Sequence, residues 1–492
     1  MKRRRRTARS VKDDEDENKG KRRRKSKVVE FEYNLVDRMS VLPYEILVSM
    51  VSFLPIKEAV ATSVLSRRWR HVWKSSMSLN FQAVNFEAGS NYSYFTNQCK
   101  HWQGLQSINY ADWVNHIVKQ HRGQYIERFR VCFFLNRYFS SSIDEWIRFA
   151  MERRVQILEL ELLETLEDNV YTFPHTLLGL EKRFSKEELY SGIPSLPLPS
   201  PGCSIGIKFL KVLRLQNIGV TAQVLNYFLS NCPVLEQLAL RMAPKLVNLR
   251  VISPSIALKH LLIHNCDDLK SIEIRNANIV SFTYRGLDMI DLHLSNVPLL
   301  VEVSISKLTF HRRSLSLAFA QLSCCLSQIE ILTLDIKGAV YIQNHLFPTL
   351  ANVKYLELTS SPEHDWDIHH LICFMKATPY LQRLSLKLAQ IFKVRTAREI
   401  EMRDKADCPP HHHLKVVEIA GYRGNTWSVE HVVHLIKKAV SLEKIVIDPR
   451  NLCFLPGRDR DVKEIDEEGK ARDHAMQHLK GIVPSSIEFV CL

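Results

Sequence analysis

A short apolar pattern recurs beyond residue 150, and it restricts the fold more than any other feature of the sequence. An apolar residue is followed three positions later by a second and two positions after that by a third, as in Leu210, Leu213 and Leu215. The last two lie two residues apart, so they point to the same side of a short strand. One copy cannot bury that side alone, and the chain therefore has to stack its copies.

The copies also resemble one another outside the triplet. FLSNCPVLEQLALRM, beginning at Phe228, aligns with FMKATPYLQRLSLKL, beginning at Phe374, in its apolar positions. Their spacing of roughly 23 to 33 residues through much of the array is that of leucine-rich repeats, which form a solenoid around parallel strands. The other copies are Val155, Leu158, Leu160; Leu235, Leu238, Leu240; Leu258, Leu261, Ile263; Leu269, Ile272, Ile274; Ile329, Leu332, Leu334; Val353, Leu356, Leu358; Leu381, Leu384, Leu386; Leu414, Val417, Ile419; and Leu442, Ile445, Ile447.

We therefore expect an α/β fold in which a short helical N-terminal module precedes a curved leucine-rich-repeat solenoid. Parallel strands are expected on the concave side and helices or turns on the convex side. AQVLNYFLSNCP and DIHHLICFMKATP have helical periodicity and end at a proline, which predicts two of the convex helices. Between Leu258 and Ile305 the spacing drops to about 10 to 13 residues, which leaves room for strand and turn alone.

The N-terminal module is the stretch LPYEILVSMVSFLPIKEAVATSVLSRRWRHVWKS, from Leu42 to Ser75. Its apolar residues fall on helical stripes, and Pro55 separates the first helix from the next. Val72 and Trp73 are predicted to face inward. The stripes carry more apolar surface than so short a module can bury by itself, so part of it is expected to meet a partner.

Basic residues are concentrated at the N-terminus. Residues 1–27 hold 14 Lys or Arg and 5 acidic residues, a net charge of +9, which leaves +5 for the other 465 residues. Nothing here can form a core, so residues 1–36 are expected to be a disordered tail. The two clusters favour a nuclear import signal, with a nucleic-acid-binding arm or a merely solvated tail as alternatives. The import residues are Lys2, Arg3, Arg4, Arg5, Arg6, Lys21, Arg22, Arg23, Arg24 and Lys25.

Composition excludes several classes of protein. No run of about 18 apolar residues is present, so we expect no membrane span, and the basic start of the chain does not fit a secretory signal. The 11 scattered cysteines include no CxxC pair, which favours reduced thiols over disulfides or a zinc site. No phosphate-binding glycine loop is present, and no cofactor is expected.

Three polar motifs were weighed as chemical sites. GCSIG matches the nucleophile-elbow pattern around Ser204, but a proline-rich stretch precedes it and a strand follows, so the required strand–turn–helix context is missing. HDWDIHH, with Asp365, Asp367, His369 and His370, lacks a second ligand cluster and predicts a polar loop before a helix. The run from His411 to His413 is interpreted as a solvated linker, and His431 and His434 as surface residues of a helix.

The stretch from Leu42 to Ser75 resembles an F-box of the plant type, LPxEILxxIxSFLPxKEAVxTSVLSxRWRxxW, with departures at Tyr44 and Ile56. LKVVEIAGYRGNTWSVEHVVHLIKKAVSLEKIVID, from Leu414 to Asp448, is similar to the FBD region that closes the plant F-box proteins with leucine-rich repeats. The implied domains are an F-box over 37–80, a linker or cap over 81–150, leucine-rich repeats over 151–403 and an FBD-like region over 404–492.

The resemblance implies a non-catalytic function. In that family the F-box binds a Skp-type adaptor, which links it to a cullin in an SCF ubiquitin ligase, while the repeats bind a protein substrate. Side chains that flank the apolar strand positions would contact that substrate, such as Glu236, Gln237, Ala239, Gln382, Arg383 and Ser385. The implied adaptor contacts are Leu42, Pro43, Ile46, Leu47, Leu54, Val64, Leu65 and Trp69, some of which must also pack the F-box internally.

Two questions stay open at this level. A nuclear nucleic-acid-binding scaffold that acts through the basic tail is the alternative function. The segment Asn91–Asn109 is a hinge, part of a cap on the solenoid, or a helix that packs on both neighbours.

Overall fold

The computed structural model describes residues 38–82, 99–163, 169–179, 207–253, 257–287, 290–307, 314–335, 347–360, 368–388, 410–450 and 462–492. The chain divides into two units, Met1–Leu42 and Pro43–Leu492. The described part of the first contains one short helix, α1 (Arg38–Val41). The nuclear-import residues, Ser204, Asp365 and Asp367 lie outside the described residues, as does the whole predicted tail over residues 1–36.

The second unit contains short strands that pair in parallel. Its described residues form β1 (Ser78–Gln82), β2 (Arg128–Phe133), β3 (Ile157–Leu162), β4 (Val212–Gln216), β5 (Gln237–Arg241), β6 (Asn248–Ile252), β7 (His260–His264), β8 (Ser271–Arg275), β9 (Ser281–Gly286), β10 (Asp291–Ser295), β11 (Glu302–Lys307), β12 (Ile331–Asp335), β13 (Tyr355–Ser360), β14 (Arg383–Leu388), β15 (Val416–Ala420), β16 (Lys444–Asp448) and β17 (Glu488–Cys491). Fourteen of them form one sheet, the main sheet, in the order β1-β2-β3-β4-β5-β7-β9-β11-β12-β13-β14-β15-β16-β17.

The apolar triplets explain how the main sheet is held. In β4, Leu213 and Leu215 are buried, and so are their neighbours in β5, Leu238 and Leu240. This in-register arrangement stacks apolar side chains from strand to strand under one face of the sheet. The α/β solenoid predicted from the sequence is therefore confirmed.

The closely spaced units contain a feature that the sequence did not predict. Strands β6, β8 and β10 form a separate three-stranded sheet, so the chain alternates between two sheets from β5 to β11. The turn after each of β7, β8 and β10 begins with an asparagine in the left-handed conformation: Asn265, Asn276 and Asn296, with φ of 51°, 49° and 50°. Asparagine adopts this conformation more readily than most residues, which favours a sharp turn between the two sheets. The second sheet takes the place of helices, as the short spacing requires.

Helices occupy the longer units and the N-terminal module. They are α2 (Tyr44–Ser52), α3 (Ile56–Ala61), α4 (Cys99–Gln120), α5 (Ser140–Glu152), α6 (Ala222–Asn231), α7 (Ser314–Leu322), α8 (Ile368–Ala377), α9 (Thr426–Lys438), α10 (Val462–His474) and α11 (Lys480–Ile482), with 3-10 turns at Thr62–Val64, Trp69–Ser75, Arg137–Phe139, His175–Leu178 and Ile207–Phe209 and a π turn at Ala475–Leu479. The two predicted repeat helices are confirmed as α6 and α8. Thr221 caps α6 by accepting a hydrogen bond from the Val224 N–H.

The sheet begins earlier than the sequence analysis placed the first repeat. Strands β1 and β2 pair from Ser78 and Arg128 onward, well before residue 151. At the other end, β15, β16 and β17 continue the same sheet through the FBD-like segment. The region with recognisable triplets is thus only part of one continuous parallel sheet.

Two of the histidine interpretations were wrong. His411 is buried rather than solvated. Its ring Nε2 lies 2.8 Å from the Thr378 carbonyl oxygen, and its backbone N–H donates to the Lys438 carbonyl at 2.7 Å. His431 is fully buried on the inner face of α9, with Nδ1 2.8 Å from the Trp427 carbonyl. His434 is half-buried, and burial together with Lys437 and Lys438 lowers its pKa to about 4. His411 and His431 were expected to be exposed because they are polar, but backbone carbonyls beside them accept hydrogen bonds from their rings and allow them to be buried.

Among the residues that the structure describes, every helix is too short or too polar to span a membrane. The same residues contain no group of three or more His, Cys, Asp or Glu placed to hold a metal ion.

Gly421 tests the backbone geometry at the end of β15. It has φ of +76°, and an added Cβ would collide with the Leu388 carbonyl oxygen on β14. We expect Gly421→Ala to lower the free energy of unfolding by about 1–3 kcal/mol. Gly469→Ala in α10 is the matched control, since no atom lies within 4 Å of its added Cβ. It should raise the free energy by about 0.5–1 kcal/mol. Equal effects in denaturant titrations would contradict this assignment.

Candidate functional site

The N-terminal helical module, residues 43–76, has a small core of its own. Leu47 and Val51 of α2 are fully buried, as are Ile56 and Ala59 of α3. Val72 and Trp73 of the last 3-10 turn face inward as predicted. Pro43 and Pro55 precede α2 and α3 and fix where each helix begins, since each proline carbonyl accepts an N–H from the first turn. The spacing of the apolar residues along each helix is what directs one stripe into this core.

The eight residues predicted to contact an adaptor fall into two groups. Leu47 is 0% exposed and Trp69 is 3% exposed, so both pack the module internally and offer no surface to a partner. The other six keep accessible surface. Ile46 is 47% exposed, Val64 87% and Leu65 63%, while Pro43 is exposed and Leu42 and Leu54 are half-buried.

The sequence analysis missed one prominent apolar side chain. Phe53 directly follows α2 and is 89% exposed. It lies seven residues after Ile46 and keeps helical backbone angles, which brings it to the same side of α2. That spacing was visible in the sequence, but the predicted adaptor contacts did not include Phe53. Large apolar side chains that a folded module leaves in solvent commonly mark protein contact sites.

Polar groups fix this module to the start of the main sheet. Ser52 Oγ donates to the Val48 carbonyl at 2.7 Å and accepts the Met77 N–H at 2.8 Å. Ser76, fully buried, donates through Oγ to the Ser78 carbonyl at 3.0 Å. The module's last turn therefore runs into β1 through satisfied buried hydrogen bonds.

Helix α4 also joins the module to the sheet, since it contacts α3 of the module and the first two strands of the sheet. The Lys57 ammonium of α3 lies 5.1 Å from the centre of the Trp113 ring. Tyr110 donates its hydroxyl proton to the Phe81 carbonyl of β1 and stacks on Phe133 of β2 with ring centres 4.2 Å apart. Of the three alternatives for the 91–109 segment, its described part forms the first half of a helix that packs on both neighbours.

His121 closes this junction. It follows α4, and its Nε2 donates to the Ser76 carbonyl at 2.9 Å, since a carbonyl can only accept. Its ring meets Phe149 of α5 edge to face, with centres 5.6 Å apart. The next residue, Arg122, donates its N–H to the Lys74 carbonyl at 2.7 Å. Burial lowers the pKa of His121 to about 4, and the Arg153 charge adds to the effect. The junction is therefore assembled around a neutral imidazole.

The face of the main sheet opposite the core carries the candidate substrate contacts. We call it the outer face; it is formed by the first, third and fifth residues of each strand. Near the junction it holds paired charges: Arg214 Nη1 lies 2.5 Å from Glu159, and Arg130 Nη2 lies 2.9 Å from Glu161. Of the predicted substrate contacts, Gln237, Ala239, Arg383 and Ser385 all lie on this face, but Ala239 and Ser385 are buried. Glu236 and Gln382 directly precede β5 and β14.

Comparison with known proteins gives two family matches. The F-box domain family matches residues 39–81. The family described as At1g61320/AtMIF1, LRR domain, matches residues 117–492, which is most of the chain.

Several similar proteins come from Arabidopsis thaliana. The F-box/LRR-repeat protein At3g03360 is 32% identical over 219 residues, which cover 43% of this chain and only 39% of that protein. The F-box/FBD/LRR-repeat protein At5g22700 is 25% identical over 453 residues, covering 84% of this chain and 92% of that protein. The F-box/LRR-repeat protein At3g26922 is 28% identical over 275 residues, covering 55% and 82%.

The depressed pKa of His121 predicts that stability depends on pH. The folded state binds this proton only near pH 4, whereas the unfolded chain binds it near pH 6.5. The contribution of neutral His121 to the free energy of unfolding is therefore complete above pH 6.5 and is lost as the pH falls towards 4. At its maximum this contribution is about 3 kcal/mol.

The measurement is the free energy of unfolding between pH 7 and pH 4, compared with that of His121→Gln. Glutamine keeps an N–H donor for the Ser76 carbonyl but cannot take up a proton. The variant should lose less stability over this range. His264 and His434 titrate in both proteins and cancel in the comparison. Identical pH profiles would show that His121 is not protonated on unfolding.

Proposed function

Because this chain belongs to the F-box proteins that carry a leucine-rich-repeat domain, we propose that it is the substrate-recognition subunit of an SCF-type ubiquitin ligase. The F-box would bind a Skp-type adaptor, and through it a cullin. The repeat domain would hold a protein substrate. This chain would carry no catalytic group for ubiquitin transfer, which other subunits perform.

The exposed apolar side chains of the helical module are the observation that carries this proposal. Val64, Leu65 and Phe53 are more exposed than buried, although the module has a separate, filled core. Such side chains gain free energy when a partner covers them. We assign the adaptor contacts to Leu42, Pro43, Ile46, Leu54, Val64 and Leu65 and add Phe53. Leu47 and Trp69 support this surface from beneath.

The junction supports the mechanical side of the proposal. A scaffold accelerates transfer by holding the substrate lysine near the reactive ubiquitin thioester, and a loose connection would lower that effective concentration. Here the F-box is joined to the sheet through Ser52, Ser76 and His121 and through α4. The position of a substrate on the repeats would therefore be fixed relative to the adaptor.

The domain boundaries also remain part of the proposal. We assign 37–80 to the F-box and 404–492 to an FBD-like region, for which support comes from the names of several relatives. In its described part, this region contains β15, α9, β16, α10, the π turn at Ala475–Leu479, α11 and β17 and extends the main sheet. It would thus lengthen the substrate-binding surface rather than form a separate body.

Val64→Asp tests the adaptor surface. A carboxylate placed in an apolar interface loses its hydration without gaining a partner, so binding to a purified Skp-type adaptor should fall at least about tenfold. Val440→Asp is the matched control, because Val440 is 63% exposed at the far end of the chain. Both variants should keep the wild-type melting temperature. Adaptor binding that survives in Val64→Asp combined with Ile46→Asp would refute the docking assignment.

We further propose that the basic clusters direct the protein to the nucleus. Replacing Lys21, Arg22, Arg23, Arg24 and Lys25 with glutamine in a fluorescent fusion should move the signal to the cytoplasm. Replacing Lys12, Lys19 and Lys27, which lie between or beside the clusters, should leave it nuclear. A nuclear signal that is unchanged by the first substitution would contradict the import role.

A further inference from the structure

Charged side chains on the outer face of the main sheet are mostly neutralised by a neighbour. Towards the N-terminal end, Arg130 pairs with Glu161 and Arg214 with Glu159. Towards the C-terminal end the pairs are Lys387 with Glu357, Arg383 with Glu418 and Lys444 with Glu488. Between these two regions lie β5, β7 and β9, where the pattern changes.

The last outward position of these three strands forms one row. Arg241 of β5 lies in register with His264 of β7, which lies in register with Arg285 of β9. Neighbouring strands are about 4.8 Å apart, so the two arginine Cα atoms are about 10 Å apart with the histidine between them. Both arginines are exposed and His264 is half-buried. We call these three residues the basic row.

Within the residues that the structure describes, no carboxylate forms an ion pair with Arg241 or Arg285. The adjacent strands contribute neutral residues to the same row, Gln216 of β4 and Ser306 of β11. One strand further out come acids that are engaged elsewhere: Glu161 with Arg130, and Asp335, which accepts a hydrogen bond from Ser306 Oγ at 3.2 Å. The basic row is therefore a local excess of positive charge between two neutralised regions.

The positive charges of Arg241 and Arg285 both act on the imidazole of His264, whose pKa they help to lower. This pKa is lowered to about 4 by burial and then by the charges of Arg241 and Arg285. At neutral pH the imidazole is uncharged and presents one N–H between two guanidinium groups. Beside the basic row, the third residue of each of these strands also faces outward and is uncharged: Ala239, Leu262 and Thr283. An anion placed there would gain donors from both sides and relieve the repulsion between the arginines.

We propose that Arg241, His264 and Arg285 bind a carboxylate or phosphate group on an acidic segment of the protein substrate. This deepens the proposed function and rests on it. Guanidinium forks favour such planar or tetrahedral anions because two N–H groups can reach two oxygens at once.

A nucleic acid fits this face less well. Its phosphates follow one another along the backbone, and binding needs cations that extend with it. The basic row is short, because its neighbours Gln216 and Ser306 are neutral and are followed by Glu161 and Asp335, so the cations do not continue along the face. One localised negative group of a peptide matches the charge that is present.

The experiment measures binding of four fluorescent probes to the full chain. Three are peptides of equal length, one rich in glutamate, one with phosphoserine and one with glutamine instead, and the fourth is a single-stranded RNA. The test variant is Arg241→Gln with Arg285→Gln. Its matched control is Arg250→Gln with Arg275→Gln, which removes the same charge from the second sheet, where both arginines pair with Glu273. Thermal melts check that each variant is folded.

We expect an anionic peptide to bind the wild-type chain and to lose at least about tenfold in affinity in the test variant. The control should change by less than about threefold, because only long-range attraction is altered. Preference for the phosphoserine or the glutamate peptide identifies which group the substrate carries. Arg241→Lys with Arg285→Lys keeps the net charge but not the fork and should bind with intermediate affinity, which keeps the test decisive if the glutamine variant is unstable.

Equal losses of peptide affinity in the test and control variants would overturn the proposal, because they would show that binding depends on the net charge of the chain and not on the basic row. Absence of binding of both anionic peptides, or a larger loss for single-stranded RNA than for the peptides, would overturn it as well. Adaptor binding is measured on the same variants. Val64→Asp should lose the adaptor and keep the peptide, so a failure of the basic row is distinguished from a failure of the F-box assignment.

Discussion

The structure depends on the stacking of alternate apolar side chains between parallel strands. The strands of the main sheet have four to six residues, and all but β17 bury at least two alternate apolar side chains, as β15 does with Val417 and Ile419. Two side chains cannot stabilise a strand that short, since ordering each residue costs about 1–2 kcal/mol of backbone entropy. The strand persists because its neighbours bury the same positions from both sides and hydrogen-bond to its backbone. Every other feature, including the helices and both candidate surfaces, is positioned by this repeated contact.

The F-box module uses the end of that stack. A parallel sheet that stopped in solvent would expose a row of unpaired backbone groups and an open core. Here the edge strand β1 continues directly from the module, and α4 covers the adjoining core with Tyr110 and Trp113. The junction is largely polar, through Ser52, Ser76 and His121, and such buried bonds specify one geometry because each unmade bond would be costly. The module can thus be firmly held while Val64 and Phe53 stay in solvent.

The outer face of the sheet has a different role from its inner face. The ion pairs between its strands join residues that lie about 30 to 55 positions apart in sequence, as Arg214 and Glu159 do, and they neutralise most of the face. Exposed pairs of this kind add little stability, so their arrangement bears mainly on what can approach. Against that background, the basic row is distinguished by unneutralised charge and not by its total number of arginines. The positive charge of the basic row comes from the alignment of three side chains, and the net charge of +14 for the whole chain does not reveal its position.

Local patterns in the sequence determined much of this protein. The triplets predicted the strands, the helical periodicity predicted α6 and α8, and the F-box motif located the N-terminal module, because each depends on residues a few positions apart. The tertiary structure decided what depends on distant partners. It placed alternate short units in a second sheet, buried His411 and His431 against carbonyls from other segments or from their own helix, and separated buried Leu47 and Trp69 from exposed Phe53. It also aligned Arg241, His264 and Arg285, which are more than 20 residues apart in sequence. Each of the three residues directly follows the last apolar position of its strand, but the sequence does not show that β6 and β8 leave the main sheet and so bring β5, β7 and β9 side by side.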